Sequence, residues 1–381
     1  MKKVSILVIA LLVAMGSFAQ SMAVQTAFNH HKKAKLKDAL EAIQPALEHS
    51  QTSTQAKTWF YYANICLDIA QEDATSAYAQ LLANPLDEAV RGYTKALELD
   101  KREEYKDDII QRMLGISVLY SDKGVTAYDA KRYAEAAEDF AKAYEIRLQA
   151  GSTDKSMLKY AGTCWLDAEN WNKAEEAFTI LKDANYKDAM IYIGLAKIAV
   201  AKGELEKAVQ YLDEGEAKFP KDLTLLTEKA NMYMVGELSE LDKHAALNTL
   251  KKIIDIEPNN ASVWNSLGAC YAMDEATFNE AAAAYKKSIE LDPKFISAYY
   301  GYCKLYLDEA NHYINEANNL PLDDTSGQYD VLTKKSEEIF LEVLPFVEQA
   351  HALDTSDSIF KQILKELYIK LKMMDKAAEI K

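Results

Sequence analysis

The sequence has few of the residues that interrupt helices: its 381 residues include only 7 prolines and 13 glycines. Runs of β-branched residues typical of strands are absent beyond the N-terminus, which argues against a β class. Ala, Leu, Glu and Lys, which are good helix formers, are abundant instead. Because 49% of the residues are hydrophobic, the chain has ample material for a core. The composition predicts an all-α protein.

Enzyme motifs are also absent. The sequence contains no GxGxxG, P-loop, HExxH, CxxC or GxSxG pattern. In many enzymes these patterns supply the phosphate-binding loop, the metal ligands or the nucleophile. Only His30 and His31 are adjacent histidines, and neighbouring helix residues point about 100° apart, so the pair cannot chelate a metal from one face. We expect no enzyme activity, no cofactor and no metal site. A deep pocket holding a buried carboxylate pair would reopen the enzyme alternative.

Positive charge is scarce. The chain has 44 Lys and Arg residues against 59 Asp and Glu residues, a formal net charge of −15. A surface of that sign repels phosphate backbones and anionic lipid headgroups. The charge balance therefore argues against nucleic acid and against anionic membrane surfaces as partners.

Long apolar runs are lacking, apart from a short one at the N-terminus. Lys2 and Lys3 precede an apolar run from Val4 to Met15, and residues 17–19 place small side chains at the −3 and −1 positions of a cleavage site. A run of 12 residues is too short to cross a bilayer, which disfavours an uncleaved anchor. We predict that residues 1–19 form a signal peptide cleaved before Gln20. The mature protein would then be periplasmic and have no transmembrane segment.

The middle of the chain repeats with a period of 34 residues. Gly162, Ala196 and Ala230 are spaced by this period, and so are Ala174 and Ala208. Small side chains are needed where two helix backbones approach closely, because a larger one overpacks the seam by about 1–3 kcal/mol. The repeat therefore predicts closely packed helix pairs.

The best-formed repeat covers residues 264–293 and resembles the consensus of the tetratricopeptide repeat (TPR), a pair of antiparallel helices. The residues that carry the resemblance are Trp264, Leu267, Gly268, Tyr271, Ala281, Tyr285, Ser288 and Pro293. The resemblance implies a right-handed superhelical α-solenoid of about eight helix-turn-helix repeats over residues 20–355, with capping helices over residues 356–381. Inserts are expected near residues 71–84 and 318–328. The N-terminus, residues 127–146 and the closing stretch look like exported TPR proteins of Bacteroidetes-type bacteria.

In the TPR family, positions two, five, nine, twelve and thirteen of the first helix of each repeat line a concave groove. Carried over to this sequence, the resemblance predicts a polar, partner-binding groove that contains Lys159, Thr163, Lys197, Thr227, Asn231, Asn265, Tyr300 and Lys304. No repeat carries both the Lys and the Asn of carboxylate-clamp TPR proteins, which puts that function in doubt. The predicted function is a non-catalytic scaffold or adaptor of the cell envelope that binds a peptide or partner protein. The alternative is a structural component of an envelope assembly that self-associates or binds through its inserts.

The four cysteines fall on the first helices of their repeats, at core or near-core positions. A free cysteine there behaves as a small apolar residue. An even number in an exported protein still raises the question of disulfides. Only Cys270 and Cys303, on adjacent repeats, qualify for a bridge, and the sequence leaves that pairing open, together with the oligomeric state and the identity of the partner.

Overall fold

A computed structural model describes residues 21–235, 238, 242, 244–321 and 325–380 of the chain. The regular secondary structure of these residues is helical throughout, which confirms the all-α prediction. The chain divides between Lys187 and Asp188 into two compact units. The predicted signal peptide lies outside the described residues. Within them, no helix combines the length and apolarity needed to cross a membrane.

The first unit contains eight helices among its described residues. They are α1 (residues 21–31), α2 (Leu36–Glu48), α3 (Ala56–Gln71), α4 (Pro85–Leu99), α5 (Lys106–Asp129), α6 (Tyr133–Gln149), α7 (Ser156–Asp167) and α8 (Trp171–Asp183). The 24-residue α5 is the extended first helix of its repeat. Residues 72–84, where the first insert is predicted, form turns and bends between α3 and α4.

The helices of a repeat pack as antiparallel pairs, as α5 and α6 show. Gly124 faces the ring of Phe140, while Ser117, seven residues earlier on α5, accepts a hydrogen bond from Arg147, seven residues later on α6 (2.7 Å). Forward movement along α5 therefore corresponds to backward movement along α6. Lys131, with φ of +59°, reverses the chain between them.

Small residues form the seams between paired helices, as the 34-residue period predicts. A Cβ added at Gly162 would lie 3.2 Å from the side chains of Ala177 and Phe178 on α8. A Cβ added at Gly92 on α4 would lie 2.9 Å from the Cβ of Ala63 on α3. Because backbone and side chain already touch at these points, a larger residue would force the helices apart.

The second unit contains ten α-helices among its described residues. They are α9 (Met190–Ala201), α10 (Leu205–Lys218), α11 (Leu223–Val235), α12 (Ala245–Ile256), α13 (Ala261–Tyr271), α14 (Phe278–Leu291), α15 (Ile296–Asn318), α16 (Gln328–Leu353), α17 (Ser358–Lys370) and α18 (Met374–Glu379). Helix α16 runs on through Pro345. Residues 322–324 of the second predicted insert lie outside the described residues.

One tyrosine organises the best-formed repeat. The ring of Tyr285 on α14 lies against Gly268 of α13 and Gly301 of α15. A Cβ at Gly268 would come within 2.8 Å of this ring. The two glycines thus make room for a large aromatic side chain that joins three helices of two successive repeats.

The last two helices cover the end of the second unit. Phe360, Leu364 and Leu367 of α17 and Ala377 of α18 are buried in one apolar cluster with residues of α15 and α16. Asp357 caps α17 by accepting hydrogen bonds from the backbone N–H groups of its first turn. These helices bury apolar surface that the end of a repeat array would otherwise expose.

Candidate partner-binding surface

The first helices of successive repeats pack side by side in the second unit. Helix α9 packs against α11, and α13 packs against α15. Lys197 of α9 forms an ion pair with Glu228 of α11, with Nζ and Oε2 3.0 Å apart. Both side chains are only partly exposed, so Lys197 joins two neighbouring first helices rather than standing free. The predicted groove residue Lys197 therefore lies directly beside α11, the helix that carries the predicted groove residues Thr227 and Asn231.

Helix α11 presents an open polar face. Thr227 and Asn231 are exposed, and they lie four residues apart, on the same side of the helix. Neither side chain has a hydrogen-bond partner among the described residues. A threonine hydroxyl and an asparagine amide both donate and accept hydrogen bonds, so this face can pair with the backbone of a bound polypeptide.

The opposite face of α11 is anchored by a buried lysine. Lys229 lies two residues from Thr227 and two from Asn231, which turns it about 200° away from both. Its side chain is almost fully buried and donates hydrogen bonds to Asp213 (2.6 Å) and Glu216 (2.7 Å) of α10. If α11 moved away from α10, these charges would lose their partners, and a buried charge without a partner is strongly destabilising. These contacts therefore hold α11 in place against α10.

The charges of this cluster compensate one another. Burial acts to raise the pKa of Glu216, but hydrogen bonds from Lys229 and Lys252 outweigh it and leave that pKa lowered. Burial likewise acts to lower the pKa of Lys229, and its two carboxylate partners leave that pKa raised. Lys229 is therefore a protonated anchor at neutral pH.

A pocket of about 530 Å³ lies above this cluster, between α10, α11 and α12. Its lining includes Glu206 and Gln210 of α10, Tyr233 of α11, and Asn248 and Thr249 of α12. Glu216 is the buried carboxylate of the cluster, and both of its partners are lysines rather than a second acid. Among the described residues, no group of three or more His, Cys, Asp and Glu side chains could hold a metal ion.

The remaining predicted groove residues of the second unit differ in availability. Asn265 of α13 is partly buried, and its Oδ1 atom is fully buried without a hydrogen-bond partner. An unpaired buried acceptor costs about 1–3 kcal/mol, and a ligand could donate to this one only after the Asn265 side chain turned outward. Lys304 of α15 is exposed and pairs with Asp308 one turn on.

Tyr300 of α15 is already engaged by the capping helix. Its hydroxyl donates to the carboxylate of Asp357, and its ring lies against Phe360, with the centroids 4.3 Å apart. Tyr300 therefore holds α17 in position, a role that the groove pattern did not predict.

Two predicted groove residues lie on α7 of the first unit. The ammonium group of Lys159 lies over the ring of Tyr160, 4.9 Å from its centroid. Thr163 donates its hydroxyl to the carbonyl oxygen of Lys159 (3.1 Å). Both residues are partly buried, and they lie on one face of α7 because they are one turn apart.

Lys229 was missed by the sequence analysis, although a signal for it exists. It occupies the repeat position that holds Leu267 in the best-formed repeat, where an apolar residue is normal. Asp213 and Glu216 lie three residues apart on the preceding helix, a spacing that places both on one face. A lysine at a core position beside such a pair indicates a buried ion pair.

All four cysteines are free thiols. Cys66, Cys164 and Cys303 are buried, and burial raises the pKa of each thiol to about 12. Cys270 is only partly buried. The bridge between Cys270 and Cys303, left open by the sequence, is not formed in this structure.

Comparisons with known proteins agree with the repeat pattern. Two family models described as tetratricopeptide repeat match residues 166–222 and 261–295. The chain is 25% identical over 213 residues to a BBSome complex member BBS4 homolog of Drosophila melanogaster, and 29% identical over 118 residues to the general transcriptional corepressor trfA of Dictyostelium discoideum. These matches cover 55% and 30% of this chain but only 42% and 8% of the two relatives.

A solved structure is similar as well. It is the C-terminal part of a TPR repeat-containing protein from Cytophaga hutchinsonii, 14% identical, with a TM-score of 0.42. The match covers 68% of this chain and 97% of that structure. The two family matches support a protein-interaction scaffold in general terms.

Proposed function

We propose that this tetratricopeptide repeat protein is a non-catalytic scaffold whose first helices bind a peptide or partner protein. The observation that carries this proposal is the two-sided character of α11. One face is fixed by the buried Lys229, while Thr227 and Asn231 on the other are exposed and have no partner among the described residues. A rigid element with an open polar face is what peptide recognition requires.

Neighbouring groups extend this face. The ion pair between Lys197 and Glu228 lies at the α9–α11 seam, and each partner is about one-third exposed. Asn265 on α13 is partly exposed and carries a further amide group. Backbone N–H groups of an extended peptide would donate to such acceptors, and its carbonyl oxygens would accept from the Asn231 amide.

The proposal is tested by blocking one side of the second unit. The variant Thr227→Arg/Asn231→Arg places two bulky cations on the proposed face. The control Glu206→Arg/Gln210→Arg places the same two side chains on exposed positions of α10. Each protein is immobilised and used for affinity capture from an extract of the source organism, with mass spectrometry as the readout.

We expect proteins captured by the wild type and the control to be lost from the α11 variant, with unchanged helicity by circular dichroism. If capture survives in the α11 variant and fails in the control, the partner binds the other side of the unit. That result would contradict the proposal.

We also propose that the protein is exported and works in the periplasm. The support is the sequence pattern of residues 1–19, which combines basic, apolar and small residues in the order of a signal peptide. N-terminal sequencing of the protein from a periplasmic fraction should begin at Gln20. Recovery of the chain from the cytoplasm with Met1 intact would refute export.

A further inference from the structure

The exposed side of α5 in the first unit carries large apolar side chains that are almost half exposed. Val118 and Val125 are each 49% exposed and Tyr128 is 43% exposed. Val118 and Val125 lie seven residues apart, on the same side of the helix. Gly115, one turn before Val118, is exposed and has open space where a side chain would stand. A partner can therefore approach the helix backbone closely at that point.

Acidic residues alternate with the valines. Val118, Asp122, Val125 and Asp129 follow one another at spacings of four, three and four residues, so they form one stripe, here called the α5 stripe. Both aspartates are exposed, and neither is in an ion pair with a described residue. The carboxylate of Asp167 on α7 lies close enough to Tyr128 to raise the pKa of its hydroxyl. The stripe thus combines apolar contacts with negative charge.

We propose that the α5 stripe docks a cationic amphipathic helix of a partner protein, with leucine-like residues against the valines and Lys or Arg beside the aspartates. The inference rests on the proposed function, in which the first helices bind polypeptide, and it names the class of partner. The stripe spans 12 residues, from Val118 to Asp129, and rises about 16 Å along the helix, which is about three turns. A helical partner repeats its side chains at the same spacing, so its apolar and basic groups stay in register along the stripe.

Charge decides between the possible occupants. A second copy of the chain meeting face to face would bring two acidic stripes together, which costs free energy because like charges repel. The same aspartates repel nucleic acid and anionic lipid. A basic helix is the occupant whose charge is complementary and whose apolar side the valines can bury.

The test uses three fluorescent 18-residue peptides and the full chain. The first has leucines on one face of a helix flanked by lysines. The second has glutamates in place of the lysines, and the third is a scramble of the first without helical periodicity. Binding is followed by fluorescence anisotropy at 50 mM and 500 mM NaCl.

Three variants of the protein are compared with the wild type. They are Val118→Ser/Val125→Ser, Asp122→Lys/Asp129→Lys and a control matched in charge to the second, Glu145→Lys/Glu176→Lys, whose two glutamates are exposed on α6 and α8.

We expect the lysine peptide to bind and the other two to bind at least tenfold more weakly. Each α5 variant should weaken binding of the lysine peptide about tenfold, which corresponds to about 1.4 kcal/mol. Attraction should fall at high salt because the charges are exposed. The Asp122→Lys/Asp129→Lys variant should in turn bind the glutamate peptide, while the control should behave as the wild type.

Equal losses in the control and in the α5 variants would overturn the inference, since binding would then follow net charge alone. Equal binding of the scramble would also overturn it. The blocking variant Thr227→Arg/Asn231→Arg separates the two proposals, because it lies on α11 of the second unit. Loss of peptide binding only in the α5 variants supports this inference even if the α11 face fails in capture.

Discussion

Lys229→Met is the substitution that best tests the anchored face of α11. The native ammonium group is buried and donates to Asp213 at 2.6 Å and to Glu216 at 2.7 Å. Removal of one partner of a buried ion pair costs about 3–5 kcal/mol. Two features reduce that value here: Asp213 has a side chain 61% exposed and regains water, and Glu216 keeps Lys252 as a partner. We expect a loss of about 2 kcal/mol, which is below that range and corresponds to about a 30-fold change in an equilibrium constant.

Hydrogen exchange followed by mass spectrometry measures this loss of stability in α11 itself, because local opening of one repeat exposes the amides of that repeat. Amides of α11 should exchange about 30-fold faster in Lys229→Met, in proportion to the expected 2 kcal/mol. The matched control is Lys252→Met, whose side chain is 52% exposed, so its ion pair contributes about 1 kcal/mol or less. Unchanged exchange in α11 of Lys229→Met would refute the anchoring role.

The same pair predicts a pH dependence. The pKa of Glu216 is lowered in the folded protein from its usual value of 4.5. Its contribution to stability is therefore fully present above pH 4.5 and is lost as the pH falls through the folded-state pKa. The difference in urea midpoint between wild type and Lys229→Met should shrink when the pH falls from 7 to about 3. A difference that grows on acidification would contradict the assigned ion pair.

Two further predictions concern packing and thiol reactivity. Gly268→Ala should destabilise the protein by about 1–3 kcal/mol because the added Cβ meets the Tyr285 ring. Gly115→Ala should instead stabilise it by about 0.5–1 kcal/mol, because Gly115 has open space around it. Urea unfolding followed by circular dichroism compares the two variants, and equal changes in their unfolding free energies would contradict the packing argument. Iodoacetamide at pH 8, followed by mass spectrometry, should label Cys270 before the other three thiols, since it is the partly exposed one. Prior labelling of a buried thiol, or a mass that shows a disulfide, would contradict the structure.

Much of the fold follows from the sequence because its determinants are local and periodic. Gly162 predicts a close helix seam through its spacing, and a Cβ there does meet Ala177 and Phe178. The long α15 follows from an uninterrupted helical pattern, whereas α16 continues through Pro345. The extent of an uninterrupted array across the two units stays a prediction, as do the boundaries of the signal peptide and of the inserts.

The candidate site was less predictable because its decisive contacts join residues far apart in sequence. Tyr300 occupies a groove position by spacing, yet it is engaged by Asp357, 57 residues later. Lys229 stands at a core position of its repeat, but its partners on α10 are identified only when α10 is placed beside α11. Val118 and Val125 lie six residues before and one residue after Gly124, as Ser156 and Thr163 lie relative to Gly162, so the groove positions of the repeat could have identified them.

The central claim is that the polar face of α11 contacts a polypeptide partner. Photo-crosslinking tests it most directly, with a benzoylphenylalanine placed either at Asn231 or at Asn248, an exposed residue on the pocket side of the same unit. Both proteins are irradiated in extract of the source organism, and the adducts are identified by mass spectrometry. The account predicts a defined protein adduct at position 231 and none at position 248. Adducts at position 248 alone would contradict it.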